Sequence, residues 1–295
     1  MMKRKIFGHD ILLKSRACNT IDIPGGPMDP MVNIFVKVTN GCNAHCLFCS
    51  NAGETHHGNS FNREKLIEIA RELKRQDIRL NRISITGGEP SIVPDLVKGI
   101  LEDFSTEEFQ EIAFHLNTNG ILSNSQELMR HPRWTTMSMS LHHYDLKKLS
   151  ELYHTVLPQD TFDFTGIDMD KINVSCNLIR GYIDNATEAK KMLDFALELG
   201  VPCIGFVALM KVNEFCKDHY VDISDIKLDT IPHVYYTRSK DRGNDCKCSN
   251  YLYNHDLKIL DIYMRNYMNP QYCESSMVYD GEFLRQGFGS DSIIF

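Results

Sequence analysis

The chain of 295 residues has room for one large domain, or for one domain with a small companion. Its 42% hydrophobic and 24% charged content is that of a soluble globular protein, and no run of about 18 apolar residues predicts a membrane span. A net charge of −7 with no long basic tract excludes duplex nucleic acid as the main partner and leaves room only for a local basic pocket. Ten cysteines, with no apolar export segment after the opening Met-Met-Lys-Arg-Lys, point to a reducing cytoplasm, where clustered cysteines are metal ligands or catalysts.

The elements then follow a rhythm. Residues 33–38 predict a first strand. Residues 61–76 predict a helix, with Leu66, Ile69, Ala70 and Leu73 at helical spacing and Asn62 as its N-cap. Strand 82–86 precedes a helix at 93–104, strand 111–116 a short helix at 126–130, and strand 135–141 a helix at 145–153. Strand 171–179 is followed by an amphipathic helix at 187–199 that ends at Gly200, and strand 201–209 closes the series. Strands that alternate with helices pair in parallel through right-handed crossovers. The fold expected is α/β: a partial (β/α)6 TIM barrel over residues 1–235, open on one side, with a small C-terminal α+β extension over 236–295.

Parallel α/β folds carry their reactive groups at the C-terminal ends of the strands. Every distinctive motif falls there. After the first strand, residues 42–49 read Cys-Asn-Ala-His-Cys-Leu-Phe-Cys. Three thiolates (Cys42, Cys46 and Cys49) on a four-iron cluster leave one iron open, and an open metal position is where substrate chemistry occurs. The competing reading is structural zinc, which favours paired knuckles; here His45 lies inside the loop and no second C-x2-C pair follows nearby. After the second strand comes Thr86-Gly87-Gly88-Glu89-Pro90. Its glycines let backbone approach a ligand closely, and its carboxylate suits an amine. Asn117, Thr118 and Asn119 end the third strand, His142 and His143 follow the fourth, and Met210, Lys211 and Asn213 follow the sixth.

The cysteine run followed by Gly-Gly-Glu-Pro resembles the radical S-adenosylmethionine (SAM) enzymes over residues 32–215. The resemblance implies a 4Fe–4S cluster on Cys42, Cys46 and Cys49, shielded by Phe48, whose open iron chelates SAM. It implies that Gly87, Gly88, Glu89 and Pro90 hold the SAM amino group. Asn117, Thr118, Asn119, Ser140, Ser175 and Asn177 are candidates for its ribose and carboxylate. An electron donor such as flavodoxin or ferredoxin is then required. His142 and Cys216 are the candidate catalytic groups.

After residue 232 the rhythm stops. A strand at 258–262 and a hairpin at 277–284 around Asp280-Gly281 make a small module that carries Cys246, Cys248 and Cys273. This module resembles reduced auxiliary-cluster extensions and predicts a second iron–sulfur cluster on those three thiols; plain thiols of a capping module are the alternative. Cys18, Cys176 and Cys203 are read as packing residues. The substrate expected is a peptide or a small natural product. The alternatives are a nucleotide, as in the GTP-cyclising enzymes of molybdenum-cofactor synthesis, and an iron–sulfur or zinc protein without radical chemistry. The terminal Ser292-Ile293-Ile294-Phe295 stands where those cyclising enzymes end in Gly-Gly.

Overall fold

The computed structural model describes residues 2–13, 31–50, 61–121, 123–158, 161, 163–239, 248–266, 276–287 and 292–295. An N-terminal hairpin of β1 (Met2–Ile6) and β2 (His9–Leu13) precedes the barrel. The barrel series runs β3 (Met31–Lys37), α1 (Arg63–Arg75), β4 (Arg79–Thr86), α2 (Pro94–Asp103), β5 (Ala113–Thr118) and α3 (Ser123–Met129). It continues with β6 (Thr136–Ser140), α4 (Leu146–Tyr153), β7 (Ile172–Leu178), α5 (Ala186–Leu199), β8 (Cys203–Ala208) and the short α6 (Glu214–Asp218). Then come β9 (Val234–Ser239), β10 (Ser249–His255), β11 (Lys258–Arg265), β12 (Ser276–Tyr279) and β13 (Leu284–Arg285).

Strands β3 to β8 lie side by side in chain order and pair in parallel. The sheet does not close. Its described order is β13-β12-β3-β4-β5-β6-β7-β8-β11-β10-β9, so the C-terminal strands lengthen it at both ends. Strand β11 adds in parallel to β8, and β12 adds in parallel to β3. No helix among the described residues is long and apolar enough to cross a membrane.

Alternation sets the two faces of this sheet. Val32, Ile34 and Val36 of β3 and Ile83 and Ile85 of β4 are buried against the helices. The intervening positions Lys37, Arg82, Ser84, His115 and Ser138 form the opposite, polar face, in register across β3 to β6. The helices bury one stripe each. In α1, Asn62 accepts from Lys65 N at 2.9 Å as the N-cap, and Leu66, Ile69, Ala70 and Leu73 face the sheet. Burial of the three larger side chains contributes roughly 5–9 kcal/mol before ordering entropy is subtracted. Helix α5 is capped by Asn185 and stops at Gly200 in the left-handed region, φ 77°.

The structure moves some expected boundaries. β5 lies two residues later than 111–116, because Thr118 still pairs with Met139 of β6. β4 begins at Arg79, ahead of the expected 82, and α3 begins at Ser123. The N-terminal hairpin, β9 and β10 were not expected; the hairpin turns at Phe7-Gly8, both at positive φ.

Candidate active site

The cysteine loop leaves β3 and is clamped from three sides. His45 N and Leu47 N donate to the carbonyls of Tyr153 and Leu152 at the end of α4, at 2.9 and 3.2 Å. Asn213 Nδ2 donates to Leu47 O at 3.1 Å, and Asn213 Oδ1 caps Cys216 N at 2.8 Å. The Cys216 thiol, itself buried, donates to Phe48 O at 3.7 Å. The Phe48 ring meets the His142 ring edge-on at 4.6 Å. Both candidate catalytic groups are therefore part of the wall behind the loop.

His142 is buried, and that burial pushes its imidazole down to about 3. Asn177 N donates to its Nδ1 at 3.0 Å, so the neutral ring carries its hydrogen on Nε2 and can act there only as a donor. His143 Nδ1 accepts from Asp145 N at 2.9 Å, while its Nε2 is buried with no hydrogen-bond partner among the described residues.

The turn after β4 packs directly on the cysteine loop. Gly88 N donates to Thr39 O, and Glu89 N donates to Gly41 O, each at 2.8 Å. A Cβ on Gly87 would overlap the backbone of Thr39, and one on Gly88 would overlap that of Gly41. The two glycines thus allow loop to meet loop. Glu89, 1% exposed, accepts bonds from its own chain: Ser91 N at 3.0 Å, Thr118 Oγ1 at 2.7 Å and Asn119 N at 2.7 Å. The Ser91 hydroxyl also bonds this carboxylate, so its own chain supplies four donors to it. Burial pushes the Glu89 carboxyl up, and the bonds from Asn119, Ser91 and Thr118 pull against it.

Asn119 continues this network. Its Nδ2 donates to Asn43 Oδ1 at 2.8 Å and to Cys42 Sγ at 3.8 Å. Thr118 Oγ1, which donates to Glu89, also accepts from Gly120 N at 3.1 Å, so its one O–H is already used within the chain. Asn117 Nδ2 donates to Ile85 O at 3.1 Å. Ser140 and Ser175 are register partners on β6 and β7, and Asn177 lies two residues on, all half-buried on the polar face. Sequence reasoning placed Asn213 on this rim with Met210 and Lys211 but missed Asn43 and Tyr153. Tyr153 is buried beside the loop and donates to Ser140 O. The only available signal was the adjacency of Asn43 to Cys42.

The donor set suits an iron–sulfur cluster. Cys42, Cys46 and Cys49 are half-buried, and burial, then the charges of Glu89 and Cys49, pushes the Cys42 thiol up. Burial, then Cys42 and Cys49, pushes Cys46 up to about 12. Bare thiolates are disfavoured in such a pocket, and cationic iron would stabilise them. Among the described residues no three His, Cys, Asp or Glu side chains converge on a point for one metal ion, so the fit rests on donor chemistry. Cys248 is buried at the start of β10, where its sulfur accepts from Asn266 N at 3.3 Å. Cys246 and Cys273 lie outside the described residues.

The chain is similar to a probable GTP 3′,8-cyclase of Archaeoglobus fulgidus, 31% identical over 172 residues, covering 56% of this chain and 54% of that protein. A probable GTP 3′,8-cyclase of Methanothermobacter marburgensis is 24% identical and matches 65% of this chain and 62% of its own length. The chain thus spans little more than half of these relatives. Among solved structures, Streptococcus suis SuiB bound to S-adenosylmethionine shares the fold, with TM-score 0.51 and 20% identity over 65% of this chain and 44% of that one. SuiB bound to its precursor peptide SuiA gives TM-score 0.52 at the same identity, over 65% of this chain and 43% of that one. The model of the Radical SAM superfamily matches residues 36–216, well over half of the sequence, and this chain belongs to that superfamily.

Proposed function

We propose that this enzyme binds its cluster through Cys42, Cys46 and Cys49, binds SAM against the Gly87–Pro90 turn and acts on a substrate held in the polar barrel interior. When bound, the cluster supplies the electron that splits SAM into methionine and a 5′-deoxyadenosyl radical, which takes a hydrogen atom from the substrate. The observation that carries this reading is the direct bonding of two loops distant in sequence. The cysteine loop and the Gly87–Pro90 turn share backbone bonds at one rim. The negative charge of the Glu89 carboxylate suits the SAM ammonium, and Ser140, Ser175 and Asn177 suit hydroxyl groups. Phe48 and the donor-only His142 exclude water behind the loop. An external one-electron donor of the flavodoxin or ferredoxin kind completes the system, in keeping with a reducing cytoplasm.

For the substrate, a peptide or small natural product with polar groups fits the interior. Arg82 Nε and Ser84 Oγ are buried there without partners among the described residues, and His115 is held neutral beside Arg82. A second reading, a nucleotide, is favoured by the names of the curated relatives and by Lys37 and Arg82, which suit phosphate. Isotope transfer separates the two. Reconstituted enzyme is incubated with SAM and either ribose-deuterated GTP or a deuterated peptide library. Deuterium in 5′-deoxyadenosine from GTP selects the nucleotide; deuterium from the peptides alone refutes it. A C-terminal cluster on Cys246, Cys248 and Cys273, in a module spanning 236–295, belongs to the same proposal.

A further inference from the structure

Asn119 sits between the two halves of the site and touches both. Its backbone N donates to Glu89 Oε2 at 2.7 Å, and its side chain reaches the cysteine loop. The amide orientation is fixed by chemistry. Asn119 Oδ1 accepts from Ile121 N at 3.1 Å in a local turn, so Nδ2 must face the other way. That face holds Asn43 Oδ1 at 2.8 Å and Cys42 Sγ at 3.8 Å. Flipping Asn43 would set amide against amide, so its oxygen is the group facing Asn119. Cys42 Sγ also accepts from Ala44 N at 3.4 Å. Two N–H groups therefore aim at this sulfur.

We infer that Asn119 tunes the reduction potential of the cluster by donating its side-chain N–H to Cys42 Sγ, with Glu89 holding Asn119 in place. This inference rests on the cluster reading above. Hydrogen bonds to cluster sulfurs withdraw electron density and favour the reduced state, so they raise the potential. The role is one of positioning and tuning, since Asn119 need not touch SAM. It also links the sites: Glu89, which borders the SAM position, fixes the backbone of the residue that bonds the sulfur.

The test compares the wild type with Asn119→Ser and Asn119→Asp after anaerobic reconstitution. Both variants keep an oxygen that can accept from Ile121 N, and both lose the N–H donor to Cys42. Iron content and helix signal are measured first, then the midpoint potential by EPR-monitored titration. The expected result is full iron with a lower potential: about tenfold less reduced cluster at a fixed poise, or about 59 mV for one electron. An unshifted potential in iron-replete variants overturns the inference. So does loss of iron from both variants with native helix content, which would make Asn119 a scaffold element only. Absence of a reducible cluster in the wild type would instead refute the functional reading itself.

Discussion

Replacing Glu89 by Ala tests how the two loops are held together. The substitution removes the acceptor for Ser91 N, Thr118 Oγ1 and Asn119 N in a site that is 1% exposed. Each buried donor left without a partner costs about 1–3 kcal/mol, so three give roughly 3–9 kcal/mol, toward the lower end if water fills the space. For a chain of this size, about 4 kcal/mol lowers the melting temperature by roughly 8–16 °C. Glu89→Gln keeps one oxygen for Ser91 and Thr118 and opposes an amide to Asn119 N, so it breaks one pair and costs about 1–3 kcal/mol. The assay is thermal unfolding by circular dichroism, with iron content after reconstitution. The order expected in stability is wild type, then Gln, then Ala, with iron retained because the three thiolates are untouched. An Ala variant that melts within a degree of wild type would refute the network as the link between the loops.

Gly88→Ala should disrupt loop packing outright, because its Cβ would overlap Gly41 backbone; Gly205→Ala, whose Cβ meets only contacts at 3.9 Å, should fold and load iron normally. Burial, with Arg82 nearby, pushes His115 down to about 3, and burial alone does the same to His142, whereas unfolded histidine titrates near 6.5. The unfolded chain therefore binds more protons between these values, and stability is full above about pH 6.5 and falls as pH drops toward 3, by about 1.4 kcal/mol per unit for each ring. Urea unfolding from pH 7 to 4.5 should show this slope, and His115→Asn should remove one proton's share of it; an unchanged slope would contradict the burial argument. Replacing Cys246, Cys248 and Cys273 by Ala should remove about half the iron and leave SAM cleavage intact, counting two four-iron clusters; unchanged iron would reduce these residues to ordinary thiols.

The barrel was legible because its signals are local. Apolar stripes such as Leu66, Ile69, Ala70 and Leu73, caps such as Asn62, and strand runs beside glycine turns fix six βα units, and the strand ends then collect the motifs on one rim. What the sequence hid depends on contacts between distant segments. Gly87 and Gly88 suggested approach to a ligand, yet their immediate neighbour is the backbone of residues 39–41. Glu89 suggested a free carboxylate, and four donors of its own chain bond it. The tautomer of His142 depends on Asn177 N, thirty-five residues away. The hairpin at Phe7-Gly8 lacked the Asn-Gly or Asp-Gly pair that marks such turns, and β9 followed a stretch with no strand periodicity.

The central claim is that Cys42, Cys46 and Cys49 carry the cluster that drives SAM cleavage. Its most direct test is 5′-deoxyadenosine formation by anaerobically reconstituted protein with dithionite, measured for the wild type and for the Cys42→Ala, Cys46→Ala, Cys49→Ala triple variant. We predict formation by the wild type and none by the triple variant, which loses every thiolate ligand of that cluster. Undiminished 5′-deoxyadenosine from the triple variant would contradict the account, as would a wild type that binds stoichiometric zinc and never cleaves SAM.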